Sequence, residues 1–122
     1  MVELERVDKL LAGSAGSRFA ARVLTEGERE RGRGMSGRRL TEFVSGRFAA
    51  KEAIVKALGC GIGSAVGFQD IEVLPDSSGR PRCRLSPEAW ERLGLKEELH
   101  RVHVAITHER SMASATAIAE RI

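Results

Sequence analysis

Apolar positions recur with a helical period at Leu4, Val7, Leu10 and Leu11 and stop at Gly13-Ser14-Ala15-Gly16, which predicts a short amphipathic helix over residues 4–11. A second is expected over 17–24, with Phe19, Ala20, Val23 and Leu24 facing in and Arg18 and Arg22 facing out one turn apart. Thr25-Glu26-Gly27-Glu28 has the Ser/Thr-x-x-Glu form of a capping box, yet residues 29–39 are rich in Gly and Arg and nearly devoid of apolar side chains. Residues 31–37 therefore read as a mobile loop. The helical pattern resumes strongly over 41–58, with Thr41 as N-cap and Gly59 as a left-handed stop. Phe43, Ala50, Ile54 and Ala57 share one side of this helix and Val44, Phe48, Val55 and Leu58 the adjacent side, so its buried face is wide.

Beyond it, Gly59-Cys60-Gly61-Ile62-Gly63-Ser64 is a turn whose glycines let backbone amides approach a ligand. Alternation over 68–74, a turn at 75–79 and a second run at 82–85 predict a β-hairpin. Ser86-Pro87-Glu88 is a helix start, so 87–93 is a short helix anchored by Trp90 and Leu93. Val102, Val104 and Ile106 alternate with polar neighbours, and a small-residue strand over 112–119 closes a final hairpin. Hairpins beside segregated helices indicate an α+β domain.

Composition narrows the function classes. With 42% apolar residues, 122 residues can bury one core, so a single domain over 1–122 is expected. Aromatic residues make up 4%, which argues against the stacking platforms of single-stranded nucleic-acid binders. No apolar run reaches the roughly 20 residues of a membrane span, and Glu3, Glu5 and Asp8 stand where a signal peptide needs an apolar core, so a soluble, cytoplasmic protein is expected. Cys60 and Cys83 have no partner at disulfide-framework or zinc-ligand spacing. Twenty Lys and Arg against seventeen Asp and Glu leave a net charge of +3, enough to steer a partner only if localised.

Four charges, Arg47, Lys51, Glu52 and Lys56, lie in the second half of the long helix. Together with the glycine turn and His108 at a strand end, they converge on phosphate chemistry. Each feature alone has an ordinary structural reading: a solvated Glu/Lys pair, a helix stop, a structural histidine. The turn lacks the Gly-Lys-Ser/Thr end of a P-loop and follows a helix, so neither nucleotide fingerprint fits.

Taken in order, Arg47-Phe-Ala-Ala-Lys51-Glu52-Ala-Ile-Val-Lys56-Ala-Leu-Gly59-Cys-Gly61-Ile-Gly63 resembles the signature helix and turn of the 4′-phosphopantetheinyl transferases. The small size, the opening Val2-Glu3-Leu4-Glu5-Arg6-Val7 and the closing Val104-Ala-Ile-Thr-His108 are similar to the holo-acyl-carrier-protein synthase group within that superfamily. The resemblance implies an antiparallel sheet packed with one long central helix and short helices. It implies transfer of the phosphopantetheine arm of coenzyme A to a serine of apo acyl carrier protein, serving fatty-acid or polyketide synthesis, with release of adenosine 3′,5′-bisphosphate. It places Mg²⁺ on Glu52 and makes Lys56 the neutraliser of charge developing on the phosphate. It assigns Arg47, Lys51, Lys56, Gly59, Gly61, Gly63 and His108 to the coenzyme A site. The acidic carrier protein would dock on Arg6, Arg18 and Arg22, whose ordinary reading is solubility, and a homotrimer with active sites between subunits is implied.

One departure stands out. The family opens with a Gly-Ile-Gly-x-Asp strand whose Asp is a second metal ligand, whereas this sequence starts at Met1 immediately after that place. Three explanations stand: an internal Met of a longer product, which fits a strand residue there; an impaired homologue; or substitution by Glu3, which strand geometry disfavours. Weak activity of the chain as written is the expectation, raised by restoring an upstream Asp. Two other readings are a coenzyme A or carrier-protein binder without catalysis, and a basic module in which residues 29–39 contact nucleic acid with steep salt dependence.

Overall fold

The computed structural model describes all 122 residues, Met1–Ile122. In chain order the elements are β1 (Val2–Glu3), α1 (Leu4–Ala12), α2 (Gly16–Val23), α3 (Glu26–Arg31), α4 (Gly37–Ala57), β2 (Ile71–Pro75), β3 (Pro81–Leu85), α5 (Pro87–Leu93), β4 (His100–His108) and β5 (Met112–Arg121), with short 3-10 turns at Phe68–Asp70 and Glu97–Leu99. The strands form two antiparallel sheets, one ordered β1-β5-β4 and one a β2-β3 hairpin. The α+β architecture is the expected one, built around a single long helix.

Helix α4 starts at Gly37, four residues before the expected cap, with Ser36 at its N-cap. Thr41 is an internal, buried residue whose hydroxyl donates to Asp8 Oδ1 at 3.2 Å and lies 3.3 Å from the Gly37 carbonyl. Contact with α1 thus supports a first turn of glycine and arginines that propensity alone would not. Residues expected as a mobile loop are also structured: α3 runs to Arg31, and the turn after it is closed by Gly32 N to Glu28 O and Met35 N to Gly32 O. The Thr25–Glu28 capping box forms in full. Phe68 lies in a 3-10 turn rather than a strand.

Two apolar clusters meet on α4. Ala50, Ile54 and Val55 pack against Val66, Ile71, Val73, Leu85, Ala89 and Trp90, joining the helix to the β2-β3 hairpin and α5. Phe43 and Val44 pack with Val7, Val23 and Leu24 under α1 and α2. Ala57, expected on the buried side, is exposed at the helix end. Burying an aliphatic side chain of this size contributes about 1.5–3 kcal/mol, so α4 is held from two sides. At Gly46 the sheet comes so close that a Cβ would stand 3.2 Å from Ile106 Cγ2 and 3.0 Å from His108 Nε2.

Candidate functional site

The second half of α4 sorts its four charges by direction. Lys51 is fully buried. Its ammonium lies 2.6 Å from Glu28 Oε1 and also donates to the carbonyls of Val23 at 2.6 Å and Phe68 at 3.0 Å, so all three of its hydrogens are engaged. Burial pushes its pKa below the ordinary lysine value, opposed by Glu28. Lys51 was expected to meet coenzyme A; covered by α3 and committed three ways, it is an internal ion-pair partner instead. Arg47 is half-buried, donates from Nε to the Val73 carbonyl at 3.2 Å, and lays its guanidinium 4.3 Å above the Phe43 ring. Burial lowers its pKa too. Only its terminal nitrogens lack a protein partner.

Glu52 and Lys56 point the other way. Glu52 is half-buried and Lys56 exposed, and neither makes a side-chain hydrogen bond or ion pair with any residue of the chain. Glu28, the residue that reading the sequence missed, explains the division. It is fully buried, and its Oε1 accepts from Thr25 N while its Oε2 accepts from Val73 N at 2.6 Å. The available signal was the capping box itself, with a lysine inside an otherwise apolar stretch of an enclosed helix as its mate.

The glycine turn is first a helix stop. Gly59 has φ +82°, its N–H reaches Lys56 O at 3.0 Å, and Cys60 N reaches Val55 O at 2.9 Å, the paired bonds of a Schellman cap. Gly63 N is held by Val66 O at 2.9 Å, which leaves Gly61 as the glycine whose amide has no backbone acceptor. A Cβ at any of the three would meet nothing within 4 Å, so the turn lies open to solvent.

His108, at the end of β4, is exposed and sits 2.8 Å from the Glu42 carbonyl through Nε2. A carbonyl only accepts, so Nε2 carries the proton and Nδ1 is free. Gly46, beside His108, precedes Glu52 by six residues, about 9 Å along α4 and about 120° around it. His108 and Glu52 therefore do not converge within one chain. Arg6 on α1 and Arg18 and Arg22 on α2 are exposed and without ion-pair partners.

No three His, Cys, Asp or Glu side chains meet at a common point. A partnerless carboxylate at Glu52 fits a hard cation all the same, because Mg²⁺ keeps several waters and takes one or two protein carboxylates plus substrate phosphate oxygens. No helix is long and apolar enough to cross a membrane.

A family described as the 4′-phosphopantetheinyl transferase superfamily matches residues 1–116. The chain is similar to a holo-[acyl-carrier-protein] synthase of Bacillus thuringiensis, 45% identical over 120 residues that cover 98% of this chain and 90% of the relative. Among solved structures, it is similar to a holo-(acyl-carrier-protein) synthase from Bacillus anthracis in complex with CoA (3′,5′-ADP), with TM-score 0.82, 43% identity and coverage of 99% and 91%. It is also similar to the Helicobacter pylori holo-[acyl-carrier-protein] synthase in complex with coenzyme A, with TM-score 0.81, 25% identity and coverage of 98% and 95%.

Proposed function

The chain belongs to the 4′-phosphopantetheinyl transferase superfamily, and on that premise we propose that it transfers the 4′-phosphopantetheine group of coenzyme A to a serine of apo acyl carrier protein. The serine oxygen forms a new bond to the phosphorus that carries the pantetheine arm, the pyrophosphate bond breaks, and adenosine 3′,5′-bisphosphate leaves. The observation that carries the reading at residue level is the division on α4: two cations turned inward, and Glu52 and Lys56 presented outward without partners.

Glu52 is the residue that would hold Mg²⁺, which when bound neutralises pyrophosphate charge. Lys56, one turn further on, stabilises negative charge as the leaving group departs. The open glycine turn, with the free Gly61 amide, supplies the proposed pyrophosphate contact beside Glu52 and Lys56, whereas the terminal nitrogens of Arg47, turned to the opposite side of α4, are the proposed contacts to a coenzyme A held at the site of a neighbouring copy. His108 takes the nucleotide end through its free Nδ1. Its separation from Glu52 in one chain supports a homotrimer in which neighbouring copies complete each site. Arg6, Arg18 and Arg22 form the proposed docking face for the acidic carrier. The proposed setting is the cytoplasm, supplying holo carrier protein for fatty-acid synthesis.

The test incubates the chain with coenzyme A, Mg²⁺ and apo acyl carrier protein and follows the phosphopantetheine mass by mass spectrometry. Glu52→Gln and Lys56→Ala should each lower turnover by about 10²-fold or more. Parental turnover in both would refute the assignment of these residues.

A further inference from the structure

The Glu28–Lys51 pair lies one residue from the proposed magnesium ligand, has no ligand role, and is built with more bonds than a core contact requires. It joins five segments. Glu28 comes from α3, and its carboxylate takes the amides of Thr25 and Val73, while Lys51 reaches the last residue of α2 and the 3-10 turn at Phe68. Apolar packing is non-directional and tolerates small rotations of a helix, whereas hydrogen bonds at 2.6 Å with fixed acceptors do not. Successive residues on a helix are about 100° apart, so fixing Lys51 also fixes the direction in which Glu52 leaves α4.

We propose that the Glu28–Lys51 ion pair is a positioning device that sets the rotation of α4 and thereby aims Glu52 at the reacting phosphate; this rests on the role proposed above for Glu52. A side chain reaches about 6 Å from a helix axis, so a rotation of about 10° moves the Glu52 carboxylate by about 1 Å. A misplacement of that size costs up to about 10²-fold in rate. Arg47 extends the device: it holds the Val73 carbonyl while Glu28 holds the Val73 amide, so α4 and α3 both grip one residue on the same edge of β2.

The experiment compares the parent with Glu28→Gln/Lys51→Met in the purified chain, with coenzyme A, Mg²⁺ and apo carrier protein. Neutralising both partners leaves no unpaired buried charge, so the fold survives, checked by circular dichroism and melting temperature. The expected result is kcat down by at least about tenfold, a raised half-saturating Mg²⁺ concentration, and a KM for coenzyme A changed by less than about twofold. Glu28→Asp keeps the charge on a shorter arm and serves as the second variant if the first does not fold; its kcat should fall as well. Parental kcat and Mg²⁺ dependence in a folded variant would overturn the positioning role. Glu52→Gln is measured alongside: if it turns over at the parental rate, the role of Glu52 fails first, and the proposal with it.

Discussion

Removing the Glu28 carboxylate while leaving Lys51 in place is the most severe single change the structure identifies outside the proposed catalytic pair. Glu28→Ala strips the buried ammonium of its counter-ion at 2.6 Å and removes the acceptor of the Val73 and Thr25 amides. Neither Glu28 nor Lys51 has any exposed surface, so water cannot take the lost partner's place without opening the core. Breaking a buried pair by deleting one member costs about 3–5 kcal/mol. A domain of this length has a total stability of about 6–18 kcal/mol and loses roughly 4 °C of melting temperature per kcal/mol, so a drop of about 12–20 °C is expected. The assay is thermal unfolding followed by circular dichroism, with urea unfolding at one temperature for the free energy. Protomer concentration is held constant, because any association of copies would couple to the transition. A loss below about 1 kcal/mol, the range of an exposed pair, would refute the burial of this interaction.

Three further outcomes follow from local geometry. Gly59→Ala puts a side chain at φ +82° with no steric neighbour, so it should cost about 1–2 kcal/mol by unfolding, whereas Gly61→Ala, without positive φ, should be near neutral in stability. Burial pushes the Asp70 carboxyl up, but bonds from Gly67 N, Ser86 and Arg92 outweigh it and hold the pKa below its ordinary value. Its contribution to stability is therefore complete above about pH 4 and is lost as pH falls through the lower folded value. The stability gap between the parent and Asp70→Asn should accordingly close in acid. Charge reversal at Arg18 and Arg22, both exposed, should raise KM for the carrier protein by about tenfold and leave KM for coenzyme A unchanged, measured by steady-state kinetics.

Where signals are local, sequence and structure agree closely. Helix α5 spans the expected residues because Ser86, Pro87 and Glu88 encode its start: the Ser86 hydroxyl accepts from Ala89 N at 3.1 Å. Both hairpins fall where alternation puts them, and the family signature at 47–63 was legible as ordered text. The misreadings share one physical cause, namely contacts made across the fold. The start of α4 was hidden because its first turn is supported by α1 through Asp8 and Thr41. Phe68 fits strand alternation, yet its carbonyl is drawn into the Lys51 cluster and its segment turns. Lys51 and Lys56 look alike on a helical wheel. Nothing in their spacing shows that α3 covers one and leaves the other in solvent.

The double grip on Val73 has a consequence beyond catalysis. A two-stranded ribbon such as β2-β3 has two bare edges, and a bare edge invites pairing with another chain. Glu28 and Arg47 occupy the outward hydrogen-bonding groups at the middle of β2, serving where a third strand would otherwise have to lie. The same two side chains are therefore a guard against self-association, and variants that loosen them should betray themselves as aggregates in concentrated solution before they betray themselves as unfolded chains.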